Sequence, residues 1–333
     1  MRAWSLAIVG LGMVFGTPLA AKVSAPREFP TLPKPGSEDI YPVHTTDWDG
    51  GVTSLADVTY QTLPGYRPQM IDIFMPRKNG GARPLVLYIH GGGWVGGTPR
   101  NAGAFANFPD ALARLAREGF VVASLEYRLA DEARFPAQLQ DARAALRFLK
   151  SNAARFGIDA SRVAVWGGSA GGHLAALTAL SCGVGALDAP MTKAAANSEC
   201  VQSAVIWYGV FDFTALAAGR TGGTDGAAVR LLGCKQVCTA DDYAPASPVT
   251  YIDAKDPPML LIHGIDDKTV PVAQSQLAEA KMKAAGMSVE SIYFPATDHS
   301  FIGKTPTDTH AATNRAMNAT FDFFHKTLDG ASK

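Results

Sequence analysis

The 333-residue chain carries no net charge, its 30 Lys and Arg balancing 30 Asp and Glu. That balance supplies neither a basic patch for nucleic acid nor an acidic tail. Beyond residue 21, no apolar run approaches the ~20 residues needed to cross a bilayer. Cysteine is scarce: there are four, at Cys182, Cys200, Cys234 and Cys238. No CxxC pair or histidine cluster accompanies them, which argues against a zinc site. Internal repeats and low-complexity blocks are missing. Also missing is a lysine after the glycine-rich turn VAVWGGSAGG (163–172). Gly167 and Gly172 have P-loop spacing, but His173 and Leu174 follow where Lys and Ser/Thr are required. The dinucleotide fingerprint G-x-G-x-x-G fails as well, because Ser169 and Ala170 stand where a second glycine is needed. A phosphate cradle is therefore disfavoured.

What the turn does contain is G-x-S-x-G, from Gly167 to Gly171. That pattern lifts a serine on a sharp strand-to-helix turn. Its glycines remove Cβ atoms that would clash in so tight a bend. RVAVW precedes it as a strand, and HLAALTAL follows at helical spacing.

The chain opens MRAWSLAIVGLGMVFGTPLAAK. Arg2, an apolar stretch from Trp4 to Phe15 and small residues up to Ala21 give residues 1–21 the layout of a signal peptide. Residues 22–45, proline-rich at their start, are expected to form an extended arm, and 46–330 a catalytic α/β domain. An exported chain, periplasmic or secreted, follows as the expectation. An even cysteine count in such a chain implies two disulfides. The nearest-neighbour pairing, Cys182 with Cys200 and Cys234 with Cys238, closes two surface loops.

MIDIFMP (70–76) alternates enough for an antiparallel strand. PLVLYIH (84–90) and FVVASLEY (120–127) are continuous apolar runs, as expected of strands buried on both faces. Further strands are expected at SAVIWYG (203–209), PMLLIHG (258–264) and SIYFP (291–295). Apolar residues at steps of three and four mark a helix over 137–156. Others are expected over 272–285 and 311–328. Strands alternating with helices imply a mostly parallel sheet covered on both faces. Residues 181–199 and 214–248 break the rhythm and are expected to cross over the carboxyl ends of the strands, where such folds bind ligands.

A serine hydroxyl needs a base to take its proton, and the base needs an acid to fix its tautomer. In a strand–elbow–helix protein the order is serine, acid, histidine. His299 in PATDHSF falls just after SIYFP and is the expected base. Asp266 and Asp267 in HGIDDKTVP both fall on the loop after PMLLI, and spacing does not separate them. HGGGWVGG (90–97) follows PLVLYIH directly, where glycine amides are expected to stabilise an oxyanion. Trp94 leaves that turn, and Trp207 and Tyr208 end a strand at the active face, so all three are candidates to line a substrate pocket.

HGGGW, GGSAGG, HGIDDKTVPVAQS and DHSF together resemble the α/β-hydrolase superfamily of HGGG-type esterases. Within it the chain resembles the bacterial feruloyl esterase-like and acetyl-xylan esterase-like branch, over roughly residues 60–325. IDIFMP, EYRLADEARFPAQLQDARAALRFLK and ASPVTYIDAKDPPMLLIHG carry the likeness beyond the catalytic motifs. The resemblance implies an α/β-hydrolase fold with Ser169 as nucleophile and His299 as base. The HGxxD spacing selects Asp267 as the acid. The oxyanion amides fall on Gly92, Gly93 and Ala170. It further implies hydrolysis of carboxylic esters, on a small molecule or on plant polysaccharide, with no cofactor or metal. DHSF departs from the usual GHGF, which places Asp298 and Ser300 beside the base. The alternatives are an amide-cleaving hydrolase on the same fold and a non-catalytic binding domain.

Overall fold

A computed structural model describes residues 43–77, 80–189, 199–218, 226–235 and 237–329. The expected leader lies outside the described residues, as does the expected arm up to residue 42. The last residues assigned to that arm begin the first strand, β1 (His44–Trp48).

One nine-stranded sheet organises the described residues. β1, β2 (Val52–Gln61) and β3 (Gln69–Met75) form an antiparallel edge. β4 (Arg83–Ile89), β5 (Val121–Leu125), β6 (Ile158–Gly168), β7 (Ser203–Trp207), β8 (Met259–Gly264) and β9 (Val289–Phe294) are parallel. The spatial order is β1-β2-β3-β5-β4-β6-β7-β8-β9. β3 pairs antiparallel with β5, joining the edge to the parallel part. This is the α/β-hydrolase architecture that the motif order implied.

The helices are α1 (Phe108–Arg117), α2 (Ala137–Ser151), α3 (Ala153–Phe156), α4 (Ala170–Leu180), α5 (Phe213–Ala218), α6 (Gly226–Leu232), α7 (Ala240–Tyr243), α8 (Ala273–Ala284) and α9 (Pro306–Phe324). Alternation along the strands divides the core. Leu85, Leu87, Val163 and Val165 face α2, α4 and α8, while Val86, Tyr88, Ala164 and Trp166 face α1 and α9. Each fully buried Leu, Val or Phe contributes roughly 1.5–3 kcal/mol.

Three boundaries differ from the sequence expectations. β1 and β2 were not anticipated: a register shift between Leu55 and Val58, with Asp57 at φ 61°, breaks the alternation that would reveal β2. The helix over 137–156 is interrupted at Asn152, whose side chain donates to the Phe148 carbonyl at 2.8 Å. The last helix starts at Pro306, because Thr305 and Asp308 form a reciprocal capping box ahead of it. Segments 181–199 and 214–248 hold short helices where they are described.

Candidate active site

β6 runs straight into α4, and Ser169 occupies the bend with φ 56° and ψ −122°. That conformation is sparsely populated for a residue with a side chain, and the surroundings hold it. The Ser169 N–H donates to the Trp207 carbonyl and the Ser169 carbonyl accepts from the His173 N–H, both at 2.9 Å. The bend also needs Gly171: a Cβ there would fall within the van der Waals shell of the Ile89 carbonyl oxygen. His173, one turn into α4, supports the elbow from below. It accepts from the Trp94 indole N–H at 3.1 Å and donates from Nε2 to the Ala246 carbonyl at 2.7 Å.

The loops after β8 and β9 bring two more side chains to Ser169. The Ser169 hydroxyl lies 3.0 Å from His299 Nε2, and His299 Nδ1 lies 2.7 Å from Asp267 Oδ2. Of the two candidate acids, Asp266 is exposed and Asp267 buried. Asp267 Oδ1 accepts from the Thr269 and Val270 N–H groups, both at 2.8 Å. Burial alone would raise its pKa. Hydrogen bonds from His263 and His299, the charge interaction with His299 and the Val270 N–H outweigh burial and hold the carboxyl well below the ordinary range.

His263 joins the same carboxylate from the end of β8. It is fully buried. Its Nε2 lies 3.1 Å from Asp267 Oδ2 and 2.8 Å from the Val270 carbonyl, both acceptors, so that nitrogen carries the proton. Ser275 completes the relay at 2.7 Å from His263 Nδ1. Only the HG dipeptide ahead of the acid hinted at this arrangement.

After β4 the chain turns sharply, with Gly92 at φ 120° and Gly93 at φ 60°. A Cβ on Gly92 would overlap the Gly96 carbonyl. The Gly92, Gly93 and Ala170 amides donate to no other group among the described residues. Gly92, Gly93 and Ser169 line one cavity of about 380 Å³ together with His299, Tyr208 and Ser300.

The aromatic candidates divide. Tyr208, at φ 36°, leans over Gly168 and meets the His299 ring edge-on at 4.7 Å. Burial pushes its phenol above the usual range although a hydrogen bond with Ser300 opposes this, so it remains protonated. Trp94 does not line the cavity. Its own φ of 60° turns the indole inward onto His173 and Phe213. Trp207 is likewise a core residue, fully buried and donating to Thr320 Oγ1 at 3.0 Å, because alternation on β7 points it at α9. Trp166 is buried in the same layer. Asn101, Thr269 and Ser300 also line the cavity, and no sequence signal marked the first two. Away from the cavity, Cys182 pairs with Cys200 and Cys234 with Cys238, so all four cysteines are bonded. Among the described residues no His, Cys, Asp and Glu group is arranged to hold a metal.

A serine on a strand-to-helix elbow, facing a histidine and a buried aspartate from later loops, places the chain among the α/β-hydrolases with a serine nucleophile. The family model BD-FAE matches residues 71–282. The chain belongs to that family. Esterase LipQ of Mycobacterium tuberculosis is 30% identical over 250 residues, which cover 74% of this chain and 57% of that protein. The chain spans about half the length of the curated relatives it matches, from 50% to 57% for the first three. Among solved structures, a truncated carbohydrate esterase from gut microbiota superposes with a TM-score of 0.68 at 25% identity, over 85% of this chain and 99% of that one. Esterase 2 of Thermogutta terrifontis with propionate bound gives a TM-score of 0.65 at 27% identity, over 81% and 93%.

Proposed function

We propose that this protein is a carboxylic ester hydrolase working through an acyl-enzyme on Ser169. The observation that carries the proposal is the unbroken chain from Ser169 Oγ to His299 at 3.0 Å and on to Asp267 at 2.7 Å. His299 Nε2 takes the serine proton as Oγ attacks the ester carbonyl. The Gly92, Gly93 and Ala170 amides receive the developing oxyanion, each such donor contributing roughly 3 kcal/mol. The C–O bond then breaks, and the alcohol oxygen leaves with the proton from His299. Water repeats the sequence on the acyl-enzyme and frees the acid. Asp267, ionised across the working range, holds His299 with Nε2 facing the serine throughout. No step calls for a cofactor.

The acyl group in this reading is acetyl or feruloyl, either of which the cavity beside Ser169 can hold. The cavity of about 380 Å³ is ringed by Tyr208, Asn101, Thr269 and Ser300, and the two tryptophans that would have made an aromatic wall lie in the core. The structural likeness to a carbohydrate esterase supports an ester carried on a sugar. Export belongs to the same proposal, supported by the two disulfides.

Hydrolysis of p-nitrophenyl acetate tests the mechanism. Wild type turns it over, and Ser169→Ala lowers kcat by roughly 10⁵-fold. An inert wild type, or a variant that keeps its rate, sinks the proposal.

A further inference from the structure

Two histidines reach Asp267, and the reaction above uses only one of them. The other is His263, fully buried at the carboxyl end of β8 and four residues ahead of the acid. His263 Nε2 and His299 Nδ1 converge on a single atom, Asp267 Oδ2, at 3.1 Å and 2.7 Å.

The protonation of His263 follows from its partners. Nε2 faces two acceptors, Asp267 Oδ2 and the Val270 carbonyl at 2.8 Å, and so holds a proton. Nδ1 lies 2.7 Å from the Ser275 hydroxyl on α8. Ser275 is fully buried, and among the described residues its hydroxyl has no other partner. It therefore donates to Nδ1, because its proton would otherwise be buried unmatched. A ring nitrogen that accepts there carries no second proton, so His263 is a neutral donor aimed at the acid.

The same ring closes the acid loop. The Val270 N–H donates to Asp267 Oδ1 at 2.8 Å, while the Val270 carbonyl accepts from His263. β8, the acid loop and α8 thus meet at one imidazole. Burial raises the Asp267 carboxyl, and the His263 hydrogen bond leads the interactions that overcome it. Tyr208, edge-on to His263 at 6.4 Å and to His299 at 4.7 Å, stays protonated and adds no charge. The Asp298 carboxylate is engaged by the Lys268 and His299 N–H groups and by Lys268 Nζ at 3.5 Å.

Resting on the esterase reading, we infer that His263 is a positioning residue that acts through Asp267, fixing Oδ2 against His299 Nδ1 and sharing its charge, with Ser275 setting the tautomer. A neutral donor does this without placing a second cation beside the imidazolium that forms on His299.

The test follows p-nitrophenyl acetate hydrolysis across pH in three variants, with folding checked by thermal melting. His263→Phe keeps a ring without a donor. Its kcat is expected to fall about tenfold with KM within about twofold of wild type, since a hydrogen bond to a charged group is lost and no contact to the ester. With one donor gone, Oδ2 holds the His299 imidazolium more strongly, so the acid limb of kcat/KM moves up by about half a pH unit. His263→Gln returns an N–H near the Nε2 position and keeps kcat within about threefold of wild type, with the limb in place. Ser275→Ala frees the tautomer and lowers kcat about threefold. A ring that only filled space would leave the limb where it is. An unmoved limb in His263→Phe, or equal losses in His263→Phe and His263→Gln, overturns the inference and leaves the esterase reading standing. If His263→Phe does not fold, Ser275→Ala decides, and a wild-type kcat there overturns the inference. If wild type is inert on the ester, the esterase reading falls and the role of His263 falls with it.

Discussion

Asp298 shows how one side chain can join two catalytic loops. Its Oδ1 accepts from the His299 N–H at 2.7 Å and from the Lys268 N–H at 3.0 Å. Lys268 follows the acid directly, so Asp298 ties the turn of the base to the turn of the acid. Removing the acceptor forfeits two hydrogen bonds, at about 0.5–1.5 kcal/mol each. Asp298→Ala is therefore expected to lower kcat/KM on p-nitrophenyl acetate by about tenfold, whereas Asp298→Asn, which keeps Oδ1, stays within about threefold of wild type. Steady-state kinetics on both variants check this; equal losses would show that the charge matters and the acceptor does not. Ser169 and His299 were legible in the sequence because chain order and strand endings constrain them. Asp266 and Asp267 were separable only through the family resemblance, whose HGxxD spacing selects Asp267, since chain order and strand ending fit both. Trp94 was misplaced. Nothing in HGGGW announces that a tryptophan will adopt a positive φ and turn inward.

Elements are held to one another by a buried ion pair. Arg128, just past β5, donates to Asp141 on α2 from Nη2 at 2.7 Å and from Nε at 2.9 Å. Gln61 at the end of β2 reaches the same carboxylate at 3.1 Å. β2, the strand not anticipated beside β3, is thus fastened to the parallel sheet and to the first long crossover helix. Breaking such a pair leaves an uncompensated buried charge, so Asp141→Ala should cost about 3–5 kcal/mol in urea unfolding. A loss below about 1 kcal/mol would mean that Arg128 finds water instead. This pair gives a physical reason for the YRL and QLQD segments by which the family resemblance was recognised. The buried parallel strands were legible as continuous apolar runs. β2 was not, because its bulge hides the alternation. Helix starts were blurred wherever the cap, and not the apolar period, sets the boundary.

The whole molecule carries a sensitivity to acid in two histidines outside the catalytic triad. Burial lowers His90 and His173 from 6.5 to about 4, partly opposed by hydrogen bonds to the Gly91 and Ala246 carbonyls. Their folded values lie below the unfolded one, so between pH 6.5 and about 4 the unfolded chain binds more protons. Stability therefore falls as pH drops through that window and is recovered above it, each histidine accounting for roughly 3 kcal/mol. Asp256, raised by burial to about 6, acts in the opposite sense and offsets part of the loss. Glu279, held near 2 by its hydrogen bonds against the effect of burial, weakens the fold only at lower pH. The urea midpoint is expected to fall steadily from pH 7 to pH 4.5, and His90→Asn to remove roughly half of that slope. A midpoint flat across the window would show that water reaches these rings.

The turn carrying His299 also carries Ile302, with two backbone hydrogen bonds between 298 and 302 closing it. The proposed base and the exposed Ile302 thus share one short piece of backbone. A substitution at Ile302 therefore acts on the same turn that orients the His299 ring. Asn314 is independent of that turn: it stands on an exposed face of α9, and among the described residues its side chain bonds only to His310 in the same helix. Changes on that face of α9 therefore leave the backbone around His299 as it is, whereas changes within 298–302 do not.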